Sequence, residues 1–270
     1  MTSDYFLIKT VKVKKYFPFI LILLLSCSSE TPKGVIQEPI SEKINPAAPD
    51  FDLENSDAKA IEIADAVMES MGGRKAWDDL KVVGWDFFGA RHLWWNKHTG
   101  DVRIDFPESD SNILIVNLFT HQGKIKIDGE EVLGPDSLVK HYTEMAESMW
   151  INDAYWLFMP FKLKDSKTTL KYLNIDTAQG GVYSHKLQLT FNEIGDTPNN
   201  KYWVYVDTTS MLVSQWSYFS NASDSLPRMT TPWHDYQKYG ELLLSGERGK
   251  RNITDITVMD SIAESVFLEF

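Results

Sequence analysis

The residues of this chain best suited to metal or acid–base chemistry are six histidines: His92, His98, His121, His141, His185 and His234. His92 and His98 are six residues apart, which does not place both on one face of a helix. No Cys, Asp or Glu accompanies them at a spacing typical of metal ligands. We therefore expect no metal site and interpret these histidines as surface or turn residues.

Catalytic motifs are equally sparse. The chain has no G-x-S-x-G nucleophile elbow, and its single cysteine, Cys27, directly follows an apolar run. The glycines of "GGRKA" and "GKRNIT" lack the spacing of a phosphate-binding loop. Paired carboxylates such as Asp78 and Asp79 are common in an acidic chain, but a glycosidase needs two of them across a cleft. We expect a non-enzymatic protein without a cofactor; a hydrolase with an unrecognised cleft is a remaining alternative.

Cys27 has a different predicted role, as a site of lipid attachment. Lys14 and Lys15 precede an apolar run from Phe17 to Leu25, which is too short to span a bilayer but typical of a signal peptide. The sequence "LLSC" that ends at Cys27 resembles the bacterial lipobox, whose cysteine is acylated and becomes the new N-terminus. We predict a lipoprotein signal peptide over residues 1–26 and a membrane anchor at Cys27.

The segment after the anchor is predicted to be a flexible tether, residues 27–55. It is rich in Pro, Ser and Glu and has no apolar periodicity. Ser28, rather than Asp, after the cysteine resembles the pattern of outer-membrane delivery. We therefore expect a lipid-anchored protein of the cell envelope, on the outer membrane and facing the periplasm, with other envelope proteins as possible partners.

Net charge excludes one class of partner. The full chain carries −11, and removal of residues 1–26, with four Lys and one Asp, brings the net charge to −14. No basic stripe offsets this charge. Such an acidic protein is poorly suited to binding nucleic acid or anionic headgroups electrostatically.

Aromatic residues make up 13% of the chain and concentrate in the predicted strand 81–96. Side chains alternate along a strand, so one face carries Trp85, Phe87, Arg91, Leu93 and Trp95. A bulge at Gly89 would shift this register. Either these rings form ordinary core beneath the helices, or they line a cavity for an acyl chain or another apolar ligand. In the second case, Arg91 at the cavity mouth would bind a carbonyl, carboxylate or phosphate.

The spacing of apolar residues predicts the helices and strands around this aromatic stretch. Apolar spacing predicts a helix near residues 58–71 and another over 135–150 with Asp136 as N-cap, followed by an aromatic corner over 152–165 that Pro160 ends. Most of the remaining chain alternates with period two, as in "DVRIDF". One helix, a run of strands, a helix and more strands predict an α+β fold with an antiparallel sheet. No composition break divides 56–270, which we predict to be a single domain.

Four stretches resemble a known family in content and order: "AVMESMGGRKAWDDLKVV", "DAYWLFMPFKLKD", "KYWVYVDTTSMLVSQWSY" and "DYQKYGELLLSGERGKR". They are similar to uncharacterised secreted lipoproteins that resemble the LolA/LolB-like, outer-membrane lipoprotein-sorting superfamily, and the likeness spans most of 57–250. The resemblance implies an antiparallel sheet curled into an unclosed half-barrel, helices covering its open face and an apolar cavity. It carries over no catalytic residue.

These observations predict a membrane-anchored lipoprotein that binds lipid or lipoprotein acyl chains, or another apolar ligand, in the cavity of the half-barrel without catalysis. The alternative is an interaction or sensory module of a cell-envelope assembly, whose interior is filled by its own side chains.

Overall fold

In the described part of the chain, two helices precede a run of antiparallel strands, a long helix follows, and further strands lead to a short final helix. A computed structural model describes residues 45–109, 111–192 and 198–270, which belong to one unit, Lys43–Phe270. Cys27, the predicted signal peptide and most of the predicted tether lie outside the described residues. The elements are α1 Ala58–Ser70, α2 Gly73–Asp79, β1 Val82–Phe87, β2 Arg91–Asn96, β3 Asp101–Asp105, β4 Ile113–Asn117, β5 Gln122–Ile127, β6 Glu130–Glu131, α3 Asp136–Phe158, β7 Thr168–Thr177, β8 Tyr183–Phe191, β9 Lys201–Asp207, β10 Val213–Phe219, β11 Met229–Pro232, β12 His234–Tyr239, β13 Leu242–Glu247, β14 Ile253–Met259 and α4 Ser265–Leu268.

Strand pairing is antiparallel throughout the described sheets. The seven-stranded sheet has the order β14-β1-β2-β3-β4-β5-β6, the five-stranded sheet the order β11-β10-β9-β8-β7, and β12 pairs with β13. Within the described residues these sheets do not close into a barrel. The predicted α+β fold, an unclosed half-barrel whose open face is covered by helices, is confirmed.

Helix α1 forms where the sequence predicted it, and its buried residues are Ala60, Ile63, Ala64, Val67 and Met68. Of the predicted apolar stripe, Ile61 is only partly buried, and Ile63 takes its place in the core. Asp57 stands at its N-cap position without capping the helix through its side chain. Instead, the Asp57 carboxylate accepts hydrogen bonds from the Tyr172 backbone N–H at 2.9 Å and from Lys171 Nζ at 3.2 Å. These bonds fix the start of α1 against β7.

The predicted single strand over 81–96 is wrong, because the structure breaks it into the hairpin β1–β2. Phe88 and Gly89 have positive φ angles of 61° and 69°, and the Gly89 N–H donates to Asp86 Oδ1 at 2.6 Å. Phe87 pairs with Arg91 across the three-residue turn. Since directly paired residues share a face, the odd-numbered side chains on both strands still point the same way.

Helix α3 is longer than predicted. It continues through the segment 152–158, where the sequence predicts an aromatic corner, and Pro135 rather than Asp136 is its N-cap residue. A 3₁₀ turn, Met159–Lys162, follows. Nothing in 152–158 breaks a helix; the break comes from Pro160, which has no N–H to donate to the Trp156 carbonyl four residues earlier. Arg248 Nη2 donates to that carbonyl instead, at 2.8 Å.

The packed chain begins before residue 56, within the segment predicted as tether. The Ala48 N–H donates to the Lys164 carbonyl at 3.0 Å, and Lys164 Nζ donates to the Asn45 carbonyl at 2.5 Å. Phe51 is buried in the main core. The few apolar residues around Phe51 follow neither a helical nor a strand period, so only the folded arrangement reveals this contact.

Candidate functional site: an aromatic cavity along helix α3

A cavity of about 820 Å³ runs alongside α3. Its lining extends on α3 from Met145 to Phe158, a length of about 20 Å at roughly 1.5 Å per residue. Protein interiors have few voids larger than a water molecule, and pockets that hold small molecules measure about 300–1,000 Å³. A space of this size is therefore a candidate binding site.

One side of the cavity is formed by four rings that we call the β2 wall: Trp77, Trp95, Trp150 and Phe158. Trp95 of β2 lies 5.1 Å from Trp150 and 5.8 Å from Phe158, measured between ring centroids. Trp77 of α2 lies 5.4 Å from Phe158. The α3 residues Trp150 and Phe158 are eight apart, with Ala154 between them, so all three lie on one face of the helix.

The other side is formed by four rings that we call the β9 wall: Tyr155, Phe191, Tyr202 and Trp216. Tyr202 of β9 stacks on Trp216 of β10 with 5.0 Å between centroids, and Tyr155 of α3 lies 5.6 Å from Tyr202. Burial raises the pKa of both tyrosines, and their mutual proximity raises that of Tyr155 further. These phenols therefore stay neutral, which suits an apolar chamber.

Arg91, which lines the cavity near β2, belongs to a buried ion pair. Arg91 Nε and Nη2 donate to Asp153 Oδ2 and Oδ1 at 2.5 and 2.7 Å. The Asp153 side chain is 0% exposed and that of Arg91 18% exposed. Burial raises the pKa of Asp153, while Arg91 and the Asn152 amide oppose that rise by hydrogen bonding to the carboxylate. Arg91 thus lines the cavity, and its guanidinium already holds a carboxylate of its own chain.

A second ion pair lies at the C-terminal end of α3. Lys162 and Asp165 form a salt bridge, and both line the cavity together with Ser166 and Thr168. Thr168 Oγ1 donates to the Asp165 carbonyl at 2.8 Å, which shapes the turn between the 3₁₀ segment and β7. This end of the cavity is polar, in contrast to its aromatic middle.

The predicted ligand-binding residues divide into two groups. Arg91 and Trp95 line the cavity. Trp85, Phe87 and Leu93 face the same side of the hairpin but are buried in the core, where Trp85 meets the Phe158 ring edge-on at 5.8 Å. These three are not among the cavity-lining side chains. Sequence reasoning missed Asp153 and the whole β9 wall.

The histidines do not converge. Within the described residues no group of three or more His, Cys, Asp or Glu side chains could hold a metal ion. His98 Nε2 lies 3.0 Å from the Asp78 carbonyl and His121 Nδ1 lies 3.0 Å from Glu147 Oε1, both exposed contacts. In that part of the chain no helix has the length and apolar character needed to cross a membrane.

Comparisons with known proteins find similar folds among solved structures. No family model matches the sequence, and no curated protein does. Similar structures include a DUF1329 family protein from Desulfovibrio piger, with 11% identity and a TM-score of 0.44, covering 77% of this chain and 96% of that one.

Two further neighbours are a putative outer membrane lipoprotein-sorting protein domain from Vibrio parahaemolyticus and a LolA superfamily protein from Nitrosomonas europaea. The first has 9% identity and a TM-score of 0.39 and covers 77% of this chain and 96% of that one. The second has 7% identity and a TM-score of 0.37 and covers 75% and 96%. Both names fall in the superfamily that the sequence resembles. Since all three TM-scores are under 0.5, the function has to be argued from this chain's own residues.

Proposed function

We propose that this protein binds lipid or acyl chains, or a similar apolar ligand, in the cavity along α3 and does no chemistry on them. The observation that carries the proposal is the pair of aromatic walls with about 820 Å³ between and around them. Packed cores bring such rings into contact with one another, and burial of apolar ligand surface against them would contribute about 25 cal/mol per Å².

The charged groups of the cavity support binding rather than catalysis. Asp153 is held by both donors of Arg91, and Asp165 by Lys162. A general acid or base has to reach the substrate with an available proton or lone pair. Asp165, the carboxylate that lines the cavity, is engaged by Lys162, and the carboxylate that pairs with the cavity-lining Arg91 is fully buried; both pairs suit a positioning role.

We also propose that the domain is held at a membrane of the cell envelope, on the periplasmic side of the outer membrane. This location is supported by the sequence alone: the short apolar run before Cys27, the lipobox-like "LLSC" and Ser28. An anchored binding domain would take up or deliver an apolar ligand at the membrane surface, with other envelope proteins as the source or the recipient.

Native mass spectrometry of the full chain carrying Cys27→Ala tests ligand binding, because this variant cannot hold an acyl anchor of its own. We expect a lipid-sized adduct that dissociates on activation, and saturable binding of palmitate. Trp150→Ala should weaken binding at least several-fold. The matched control is Trp203→Ala, since Trp203 lies between the inward-facing Tyr202 and Val204 and so points to the outer face of the sheet. Absence of any bound or added lipid would refute the proposal.

A further inference from the structure

The outer face of the seven-stranded sheet carries a buried apolar pair that lies outside the main core. Ile113 and Ile115 of β4 are only 7% and 5% exposed, yet neither belongs to the main core cluster. That cluster takes Leu114 and Val116 from the same strand. Side chains alternate along a strand, so the two isoleucines face away from the core and are buried by something on the outer side of the sheet.

Cationic side chains surround this pair. In the strand register Ile115 lies between Arg103 of β3 and Lys124 of β5, and Ile113 lies beside Lys126 of β5. Directly paired residues share a face, so all five side chains project outward. We call these five residues the outer patch. On a chain with a net charge of −11, three cations beside two isoleucines are complementary to an acidic segment that also has apolar side chains.

The α4 segment, residues 260–270, occupies the outer patch. Helix α4 packs against β3 and β4. Arg103 Nη1 donates to the carbonyls of Val266 and Glu269 at 3.1 and 2.7 Å, and Lys124 Nζ donates to a third main-chain carbonyl of the segment at 3.2 Å. The last carbonyls of a helix have no partner within it, and here the cations of the outer patch donate to them. Contacts with main-chain oxygens place few demands on the side chains of the bound segment.

Two phenylalanines supply the apolar part of the contact. Phe267 is 8% exposed and, like the two isoleucines, lies outside the main core cluster. Lys124 Nζ and Lys126 Nζ lie 4.3 and 5.7 Å from the centroid of the Phe270 ring, within the range of cation–π interactions. The outer patch thus recognises two rings three residues apart and the main chain around them.

The α4 segment is weakly held for its length. Within residues 260–270 only Phe267 is buried, and the neighbouring Leu268 is 62% exposed. Fixing the backbone costs conformational entropy at every residue, which one buried ring and a helix of four residues offset poorly. Departure of the segment alone would leave the two isoleucines in water. Replacement by another segment is therefore favoured over simple detachment.

We infer that the outer patch is a peptide-docking site, which the α4 segment covers and from which a partner protein displaces it. The partner's segment is acidic, because three cations face it. It carries two aromatic rings three residues apart, as Phe267 and Phe270 are. The outer patch lies on the sheet face opposite the main core, so this inference does not depend on ligand binding in the cavity along α3.

Binding of a detached copy of the α4 segment tests the inference in the full chain carrying Cys27→Ala. The probe is a fluorescein-labelled peptide of residues 260–270, followed by fluorescence anisotropy. Phe267→Ala releases the covering segment, so this variant should bind the peptide at least tenfold more tightly than the parent chain. Leu268→Ala changes an exposed side chain of the same segment and should leave the affinity at the parent value. Equal affinity of the Phe267→Ala variant and the parent chain, or no binding to either, would overturn the inference.

Substitutions in the outer patch test where the peptide binds. Arg103→Ala and Lys124→Ala, each added to the Phe267→Ala variant, should weaken peptide binding at least fivefold, because each removes a donor to main-chain carbonyls. Lys140→Ala removes an exposed cation of α3 and is the charge-matched control, which should have no effect. Retention of full affinity in both patch variants would show that the peptide binds elsewhere and would refute the docking site.

The release of the covering segment has an independent check. Phe267 lies outside the main core cluster, so its replacement should leave the domain folded, which circular dichroism measures. Phe270→Ala removes the partly buried ring beside Lys124 and Lys126 and should tighten peptide binding in the same direction. Parent-level affinity in this variant as well would contradict a displaceable cover.

Discussion

Arg91 and Asp153, 62 residues apart in sequence, form a two-bond ion pair that joins β2 to the C-terminal half of α3. Removal of one partner leaves a buried charge without compensation, which typically costs about 3–5 kcal/mol. We expect Arg91→Met to lower the free energy of unfolding by that amount in urea denaturation. The double variant Arg91→Met/Asp153→Leu should recover at least half of the loss, since it removes both charges. Equal losses in the single and double variants would contradict this account.

The stability of the Arg91→Met variant is expected to depend on pH through the Asp153 carboxyl. Burial raises the pKa of Asp153 above the ordinary value of an aspartic acid, so the folded state holds this proton more tightly than the unfolded state. Its contribution to stability is fully present below the unfolded pKa and is lost as the pH rises through the folded pKa. Arg91→Met removes the opposing cation and widens this difference. Relative to wild type, the variant should therefore recover stability as the pH falls from 7 toward 4, measured by urea midpoints.

Replacement of Arg248 is expected to lower stability through the C-terminal end of α3. It is 3% exposed, stacks 3.6 Å from the Trp233 ring centroid and donates to the Trp156 carbonyl that Pro160 leaves free. Burial lowers its pKa to about 9, but the group remains a cation at neutral pH. We expect Arg248→Met to cost about 2–3 kcal/mol, because hydrogen bonds from charged donors contribute about 1.5–3 kcal/mol.

Pro160→Ala provides the matched test of that interpretation. Alanine restores an N–H four residues after Trp156, which can take over the carbonyl if the last turn becomes α-helical. The cost of Arg248→Met should then be smaller in the Pro160→Ala background by about 0.5 kcal/mol or more, as a double-mutant cycle measures. Strict additivity of the two changes would show that Arg248 acts elsewhere.

Gly72 connects α1 to α2 at a position that excludes any side chain. Its φ angle is +113°, and a Cβ there would lie 2.2 Å from the backbone carbonyl oxygen of Glu241. Gly180 also has a positive φ, +85°, but a Cβ there meets nothing within 4 Å. Gly180→Ala should therefore cost only the conformational strain, about 1–3 kcal/mol. Gly72→Ala should cost at least 2 kcal/mol more, by thermal or urea unfolding; similar values would refute the steric explanation.

The sequence predicts those helices and strands whose apolar pattern lies within a short stretch of the chain. The stripe of α1 and the period-two strands are readable because burial on one face imposes a repeat. Even the face shared by Trp85 and Trp95 is predicted correctly, although the strand between them is broken. The turn of three residues preserves the alternation, so an error about the hairpin leaves the facing of its side chains unchanged.

The cavity itself depends on long-range contacts that leave no local signal. Asp153 is one acidic residue among many until the fold brings it to Arg91. Tyr202 and Trp216 belong to strands whose alternation marks them as core, and nothing nearby indicates that α3 stops short of filling the space before them. The extension of α3 could have been predicted from the absence of any helix-breaking residue before Pro160.

Membrane attachment is predicted to depend on the thiol sulfur of Cys27. Acylation of the Cys27 thiol would attach diacylglycerol, and each buried methylene contributes about 0.8 kcal/mol to membrane affinity. Cys27→Ala should therefore move the protein from the membrane fraction to the soluble periplasmic or unprocessed pool, and metabolic labelling with a radioactive fatty acid should disappear. Ser28→Ala keeps the thiol and should retain both the label and the membrane fractionation. Unchanged membrane association of Cys27→Ala, with no label in the wild-type chain, would show that this cysteine is not an anchor.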